Sequence, residues 1–173
     1  GSFTIQPGVV VKLAGTGTDL VMTDGTFSAN GTADKPIVLT SVSDDLRLGD
    51  SNEDGSATLP GAGDWGGIYF DYRSEGSMNH VVINHAGNSS DSGSATAGFP
   101  IRVNPRTQPS ITNVTLASNV HEAIAVDGGI YSSNIGLNVV GIPYWVDADL
   151  GLNVWDGSFT IQPGVVVKLA GTG

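Results

Sequence analysis

The chain carries the same seventeen residues at both ends. Residues 1–17 and residues 157–173 both read GSFTIQPGVVVKLAGTG, at a period of 156 residues. Polar positions match as well as apolar ones, so the identity goes beyond what folding alone requires. Internal repetition is typical of elongated proteins in which each unit stacks on its neighbours. We therefore interpret residues 1–156 as one repeat unit and residues 157–173 as the start of the next identical repeat, which continues the same fold.

The composition argues against several classes of protein. The formal net charge is −10, with only 7 Lys and Arg, which leaves no basic surface for nucleic acid or anionic lipid. A hydrophobic content of 39% is too high for a disordered acidic tail. Cys is absent, which excludes a disulfide framework and a Cys-ligated zinc site. No apolar run approaches the roughly 18 residues of a membrane span. We expect a folded domain with no nucleic-acid partner and no membrane insertion.

Short strand patterns separated by Gly, Pro, Asn and Asp run along the whole chain. Only residues 116–126 resemble an amphipathic helix, and their valines and Asn119 oppose one. The predicted strands are Ser2–Gln6, Val9–Leu13, Asp19–Thr23, Ile37–Ser41, Ile68–Tyr72, Val81–Asn84, Ile101–Asn104, Ile111–Leu116, Ala123–Asp127, Ile135–Val139, Tyr144–Val146 and Leu150–Trp155. Such a pattern is typical of an all-β sandwich, barrel or solenoid.

Three features favour the solenoid. No linker separates the two copies of the repeat, two-residue hairpin turns are scarce, and apolar runs recur about every twenty residues. At that spacing one repeat would hold about seven coils and add roughly 34 Å of rod. Val9, Val11 and Leu13, together with Ile37 and Leu39, would point inward and stack on their counterparts one coil away.

Several segments resemble a known family. Residues 19–41 (DLVMTDGTFSANGTADKPIVLTS), 63–70 (GDWGGIYF), 144–150 and 159–169 are similar to rungs of bacterial right-handed parallel β-helix surface proteins. The resemblance covers about residues 1–87 and 142–173 and is looser between them. It implies an all-β fold, a right-handed parallel β-helix (β-solenoid) of about seven to eight coils. It also implies an extracellular location on the bacterial cell surface, or secretion as an adhesin.

A metal-binding pattern lies in a segment without strand signals. Asp50, Asn52, Asp54, Gly55 and Ser56 match the first half of an EF-hand-type loop, in which oxygen ligands stand at positions 1, 3 and 5 and glycine at position 6. The backbone carbonyl of Ser56 would supply position 7. The pattern predicts a structural Ca²⁺ site.

The second half of that loop departs from the pattern. Position 12 is Gly61 and not the usual glutamate, so another carboxylate must close the shell. Asp64 is the predicted closing ligand, with Asp44 and Asp45 as further candidates. The alternative is a solvated acidic loop held by Asx-turns.

Other residues give weaker signals. His80, His85 and His121 lack the spacing of a zinc site or a catalytic triad. A glycan platform would need exposed aromatic residues, and a carbohydrate-active enzyme would need paired acids on one groove. The aromatic candidates are Trp65, Trp145, Trp155, Tyr69, Tyr72 and Tyr144. The scattered acids are Asp71, Glu75, Glu122, Asp127, Asp147, Asp149 and Asp156, with Arg73, Arg102 and Arg106 as possible partners.

The sequence therefore predicts a structural protein and not an enzyme. We expect a stalk or extender repeat of a long bacterial cell-surface or secreted adhesin, which forms a rigid acidic rod and stacks end to end. Its partners would be adjacent identical repeats, with surface glycans or a host partner reached through a distal module. A carbohydrate-active enzyme resembling polysaccharide lyases or hydrolases and a glycan-binding adhesin repeat are the alternatives.

Overall fold

The computed structural model of the chain describes residues 1–88, 96–131, 134–147 and 152–170. These residues form sixteen strands and no helix. The strands are β1 (Ser2–Ile5), β2 (Val10–Leu13), β3 (Asp19–Met22), β4 (Gly25–Asn30), β5 (Ile37–Ser41), β6 (Gly67–Phe70), β7 (Ser74–Asn84), β8 (Ile101–Val103), β9 (Ser110–Ala117), β10 (Ile124–Val126), β11 (Gly129–Tyr131), β12 (Ile135–Leu137), β13 (Tyr144–Asp147), β14 (Leu152–Val154), β15 (Phe159–Ile161) and β16 (Val167–Ala170). The all-β prediction is confirmed, and residues 116–126 hold no helix, since β9 and β10 occupy the two ends of that segment.

Every strand pairing among the described residues is parallel. The first sheet has the order β1-β4-β7-β5-β2, with β9 also paired to β7. The second sheet has the order β16-β13-β10-β8-β6-β3, and β11-β14 and β12-β15 form two separate pairs. Parallel neighbours require a crossover between them, so the chain returns to each sheet after passing through another.

The strands of the second sheet give the number of times that the chain returns to it. We use coil for the stretch of chain that leads up to and includes one strand of the second sheet. The coils are β1–β3, β4–β6, β7–β8, β9–β10, β11–β13 and β14–β16. The described residues thus form six coils, and the predicted seven to eight are not confirmed. The second-sheet strands begin at residues 19, 67, 101, 124, 144 and 167, so the spacing nears twenty only from β8 onward. The long segment between β5 and β6 accounts for much of the first interval.

Apolar side chains in register fill the space between the sheets. Ile68, Ile101, Ile124 and Tyr144 lie directly opposite one another in successive strands of the second sheet, and all are buried. In parallel strands each inward side chain meets its counterpart about 4.8 Å away, so the core grows by one layer per coil.

The predicted inward set is largely correct. Leu13, Ile37 and Leu39 are buried, and Val11 packs against the same core. Val9 is the exception, because it follows the left-handed turn at Gly8 and precedes β2, which leaves it exposed.

Two left-handed residues allow β7 and β9 to bend without breaking. His80 has φ 49° and Asn113 has φ 51°, and the register of β7 with β9 places them side by side. Asn and His tolerate this conformation better than most residues. Asn79, next to the bend, accepts hydrogen bonds from Thr112 (3.1 Å) and from the Asn113 side chain (2.8 Å). This polar ladder satisfies the groups that the bend leaves outside the core.

Candidate functional site

The acidic loop, residues 42–64, lies between β5 and β6 in the chain. Its carboxylates from Asp45, Asp50 and Asp54 each have an oxygen within 4.8 Å of the others. Three carboxylates at this separation repel one another unless a cation or hydrogen-bond donors compensate them. Acidic side chains grouped in this way are also what a hard cation such as Ca²⁺ requires.

Backbone donors hold two of these carboxylates in place. Asp50 accepts hydrogen bonds from the backbone N–H groups of Asp54 (3.3 Å) and Gly55 (2.8 Å). Asp54 accepts from the N–H groups of Ser56 (3.0 Å) and Ala57 (2.9 Å). A hydrogen bond from the hydroxyl of Thr58, more than these N–H groups, lowers the pKa of Asp54, and desolvation opposes the shift. The Asp54 side chain is therefore anionic at neutral pH.

Two oxygens of the acidic loop lack a donor. Oδ1 of Asp45 and Oδ1 of Asn52 are shielded from solvent and accept no hydrogen bond. The Asn52 amide nitrogen donates to Asp54 (2.7 Å) and Thr58 (2.9 Å), which orients the side chain. Shielding an acceptor from water without giving it a donor costs free energy. A cation bound at each of these oxygens would offset that cost.

The predicted metal ligands separate into two groups. Asp50, Asn52 and Asp54 lie together, and Ser56 follows them with φ 92°. Asp64 stands outside the carboxylate group, because it accepts hydrogen bonds from the Ser41 hydroxyl (2.6 Å) and the Gly61 N–H (3.0 Å) at the base of the loop.

The two acids at the other neck of the loop also differ from each other. Asp44 is buried and accepts from the Thr40 hydroxyl (2.7 Å), whereas Asp45 joins the carboxylate group. The sequence predicts both acids as further candidate metal ligands. Of the two, Asp45 has the carboxylate oxygen without a hydrogen-bond donor, and nothing in the sequence indicates this difference.

A second candidate site is a stack on the outer side of the second sheet. Phe99, His121 and Trp145 come from three successive coils, with ring centroids 4.5 Å apart for Phe99–His121 and 5.6 Å for His121–Trp145. Ala123 and Ala125 pack beside them. Phe99 is buried and the facing ring surfaces cover one another, so His121 and Trp145, both half-buried, form the accessible part of the stack.

A charged cluster lies on the same outer side. Asp127 accepts a hydrogen bond from Arg102 Nε (2.6 Å) and one from the Tyr69 hydroxyl (2.8 Å). Burial, and then the hydrogen bond to Asp127, raise the pKa of Tyr69 far above its ordinary value. The phenol therefore stays protonated and acts as a donor.

The remaining aromatic candidates differ widely in exposure. Trp65 is fully buried, and its indole N–H donates to the carbonyl of Asn84 (2.8 Å). Tyr144 is buried too, which raises its pKa. Trp155 is 83% exposed, and Tyr72 is exposed with the Arg73 guanidinium over its ring. Trp155 and Trp145 are therefore the tryptophans available to a ligand.

The scattered acids considered for the enzyme alternative have separate surroundings. Asp71 accepts from the Tyr72 N–H (2.7 Å), and Glu122 accepts from Asn119. Glu75 lines an open cleft of about 520 Å³ with Arg73, Arg106, Gln108 and others. Asp156 is exposed. Asp149 and the side chain of Asp147 lie outside the described residues.

The histidines are likewise dispersed. His80 occupies the bend of β7, and His121 belongs to the aromatic stack. His85 has a positive φ, and its Nδ1 is shielded without a hydrogen-bond partner.

No helix among the described residues has the length and apolar character needed to cross a membrane. In comparisons with family models, with curated proteins and with solved structures, nothing matches the chain.

Proposed function

We propose that the chain is a structural repeat of a long rod, wound as a right-handed parallel β-helix. The observation that carries this proposal is the second copy of the repeated segment. Its strands β15 and β16 pair in parallel with β12 and β13, which precede them in the chain. A parallel strand–crossover–strand connection is right-handed in almost all proteins, which supports the handedness. A rod made this way lengthens by adding repeats, and its stability is a sum of coil-on-coil interfaces.

The two ends of the structure carry exposed apolar residues. Phe3 and Val21 are exposed on the terminal strands at one end, and Ile161 and Leu169 on those at the other. Terminal strands also present unpaired backbone groups, which are templates for further pairing. Both features favour head-to-tail stacking of identical repeats as the partner interaction.

We place the rod outside the cell, on a bacterial surface or in a secreted adhesin, where it would hold a distal module away from the surface. Ca²⁺ would order the acidic loop through Asp45, Asp50 and Asp54, with Asn52 as a neutral oxygen ligand. Its role would be structural, and millimolar extracellular calcium would keep a site of modest affinity filled.

The test is the length of chains with one, two and three repeats. Solution X-ray scattering should give a maximum dimension that rises by about 25 Å for each added repeat, since a repeat contributes slightly more than five coils. The radius of gyration of the cross-section should stay constant. A cross-section that widens with repeat number would contradict the rod, because it would mean that repeats fold side by side.

Glycan binding is the second candidate, and the exposure of Trp155 together with the Phe99–His121–Trp145 stack favours it. Titration of a panel of oligosaccharides, followed by tryptophan fluorescence, tests it. Binding should change the emission, and Trp155→Ala or Trp145→Ala should weaken it. Trp65→Phe is the matched control, since Trp65 has no exposed surface. A panel without any change in emission would remove this candidate.

A further inference from the structure

An open cleft of about 520 Å³ lies at a corner of the structure, where the chain passes from the second sheet to the first. Two turns from successive coils form it, residues 71–73 before β7 and residues 104–109 before β9. Its volume falls within the range of about 300–1,000 Å³ that is common for ligand sites. The two turns belong to coils 3 and 4 of six, so the cleft lies away from the ends at which repeats would join.

The sequence keeps this corner open. β7 begins at Ser74, but its pairing with β9 begins only at Ser77, opposite Ser110. The same register would place Pro109 opposite Gly76, and proline has no N–H to donate to a neighbouring strand. The first three residues of β7 therefore have β4 as a paired strand on one side and line the cleft on the other.

Hydrogen bonds fix the two turns. The buried Thr107 hydroxyl donates to the carbonyl of Ser74 (2.5 Å), which ties one coil to the next. The Ser74 hydroxyl donates to the carbonyl of Asp71 (2.7 Å). In the other turn, the Asn104 side chain accepts from the N–H of Arg106 (3.1 Å). A backbone fixed in this way loses little conformational entropy when a ligand binds.

The cleft concentrates positive charge on an acidic protein. The net charge is −10, yet two of the four arginines, Arg73 and Arg106, line this cleft. Among the described residues that line it, Glu75 is the one carboxylate. The local excess of positive charge attracts an anion, whereas the molecule as a whole repels it.

Arg73 is positioned by an aromatic ring and not by a carboxylate. Its guanidinium carbon lies 4.9 Å from the centroid of the exposed Tyr72 ring. No acid among the described residues forms an ion pair with Arg73. A guanidinium stacked on a ring can still donate the N–H groups at its edge, and their fork matches the two oxygens of a carboxylate.

We propose that this cleft binds a carboxylated sugar unit of an acidic polysaccharide. Arg73 and Arg106 donate hydrogen bonds to the sugar carboxylate. Glu75 narrows the choice of ligand, because a carboxylate repels a simple anion and accepts hydrogen bonds only from a ligand that also carries donors. Sugar hydroxyls are such donors, and the exposed Gln108 amide adds both a donor and an acceptor for them.

This role goes beyond the proposed mechanical function and does not depend on how repeats join. The cleft lies within the repeat, so a rod would carry one such site in each repeat. A polysaccharide long enough to span neighbouring sites would bind several of them at once and gain avidity.

An amide NMR titration of the whole chain tests the site. EDTA is present, so that no Ca²⁺ bridges the probe to the acidic loop. The probe is a trimer of galacturonate, and the fully methyl-esterified trimer is the matched ligand without charge. Shifts should concentrate at residues 72–76 and 106–110. The ester should bind at least about tenfold more weakly, because it cannot form the charged hydrogen bonds. Inorganic sulfate and triglutamate, an acidic peptide, test other anions.

Three arginine variants locate the interaction. Arg73→Gln and Arg106→Gln should each raise Kd for the trimer by about tenfold, since each removes a charged donor. Arg47→Gln is the matched control, because Arg47 is exposed in the acidic loop, and it should leave Kd unchanged. Arg73 and Arg106 are exposed as well, and the amide spectrum of each variant shows directly whether the fold is kept.

Three results would overturn the site. They are no shifts at the cleft with millimolar trimer, equal binding of the ester, and a Kd that all three arginine variants change to the same extent. Sulfate or triglutamate that binds the cleft as tightly as the trimer would overturn the assignment to a sugar. None of these results bears on how the rod lengthens, so the proposed function is judged separately by scattering.

Discussion

The two copies of GSFTIQPGVVVKLAGTG are identical in sequence, but two of their apolar positions differ in burial. Leu13 is 5% exposed and its counterpart Leu169 is 75% exposed, and Ile5 at 5% compares with Ile161 at 47%. The first copy continues into β3, and the start of the acidic loop lies against it, since the Val42 N–H donates to the carbonyl of Leu13 (2.9 Å). Beyond the second copy no further strand is described. The alternation of the segment selects which residues face inward, and the neighbouring chain decides whether they are buried.

The largest expected effect tests this comparison directly with Leu13→Ala and Leu169→Ala. Leu13→Ala removes a buried side chain and should lower the free energy of unfolding by about 2–5 kcal/mol. Leu169→Ala should change it by about 0.5 kcal/mol or less, because little apolar surface is lost. Urea unfolding followed by circular dichroism measures both. In a chain with a second full repeat, the cost of Leu169→Ala should rise well above its value in this chain. Equal costs in the present chain would contradict the role given to the neighbours.

The start of the acidic loop lies against the first copy, and stabilisation of this loop by Ca²⁺ should give the next largest effect. If Ca²⁺ binds at the Asp45, Asp50 and Asp54 carboxylates, calcium at one hundred times Kd should stabilise the protein by about 2.7 kcal/mol relative to EDTA. The melting temperature should rise on adding Ca²⁺, and Asp54→Asn should remove most of the rise.

Asp34→Asn is the matched control, because Asp34 is an exposed acid outside the acidic loop. It changes the net charge equally and should keep the full calcium response. A response that both variants lose to the same extent would indicate general charge screening. No response in the unaltered chain would mean that the acidic loop binds no Ca²⁺ and is a solvated insertion held by its own hydrogen bonds.

Some of the fold could be read from the sequence and some could not. Ile37–Ser41 was predicted with its observed bounds, since a run of apolar and β-branched residues between turns favours a strand strongly. β4 was missing from the predicted strands, and so was the first half of β7, which reads SEGSMNH. Their polar residues and Gly76 have weak strand propensity. Pairing with parallel neighbours stabilises these strands, so tertiary contacts override local preference.

The candidate sites show the same division. The spacing of Asp50, Asn52 and Asp54 was enough to bring them together, because a short turn determines their geometry. The approach of Asp45 depends on how the two necks of the loop meet, which spacing does not encode. The stack of Phe99, His121 and Trp145 joins three coils, and it could not be predicted because the coils differ in length.

Tyr69 lies on β6, which has a paired strand on each side, unlike the strands of the two copies. Burial and the hydrogen bond to Asp127 raise its pKa, so the folded state binds the phenolic proton more tightly than the unfolded chain does. That contribution to stability is complete below the unfolded pKa of about 10 and is lost as the pH rises above it. Tyr69→Phe should flatten the loss of stability above pH 10, and it should cost about 1 kcal/mol at neutral pH.

Tyr72→Phe is the control for this measurement, because Tyr72 lies exposed beside the same sheet. Urea unfolding at a series of pH values should give the same alkaline decline for Tyr72→Phe as for the unaltered chain. An unchanged decline in Tyr69→Phe would show that burial between two neighbouring strands does not shift this phenol.

The smallest expected effect returns to the two copies through Lys12 and Lys168. The Lys12 ammonium donates a hydrogen bond to the carbonyl of Gly49 in the acidic loop, whereas Lys168 is exposed. Lys12→Met should lower the free energy of unfolding by about 0.5–1 kcal/mol, and Lys168→Met should change it by less than about 0.5 kcal/mol. Hydrogen exchange should also become faster at residues 46–50 in Lys12→Met alone. If the two variants behave alike in both measurements, the loop gives the first copy no polar support. The difference between the copies would then come from apolar burial alone.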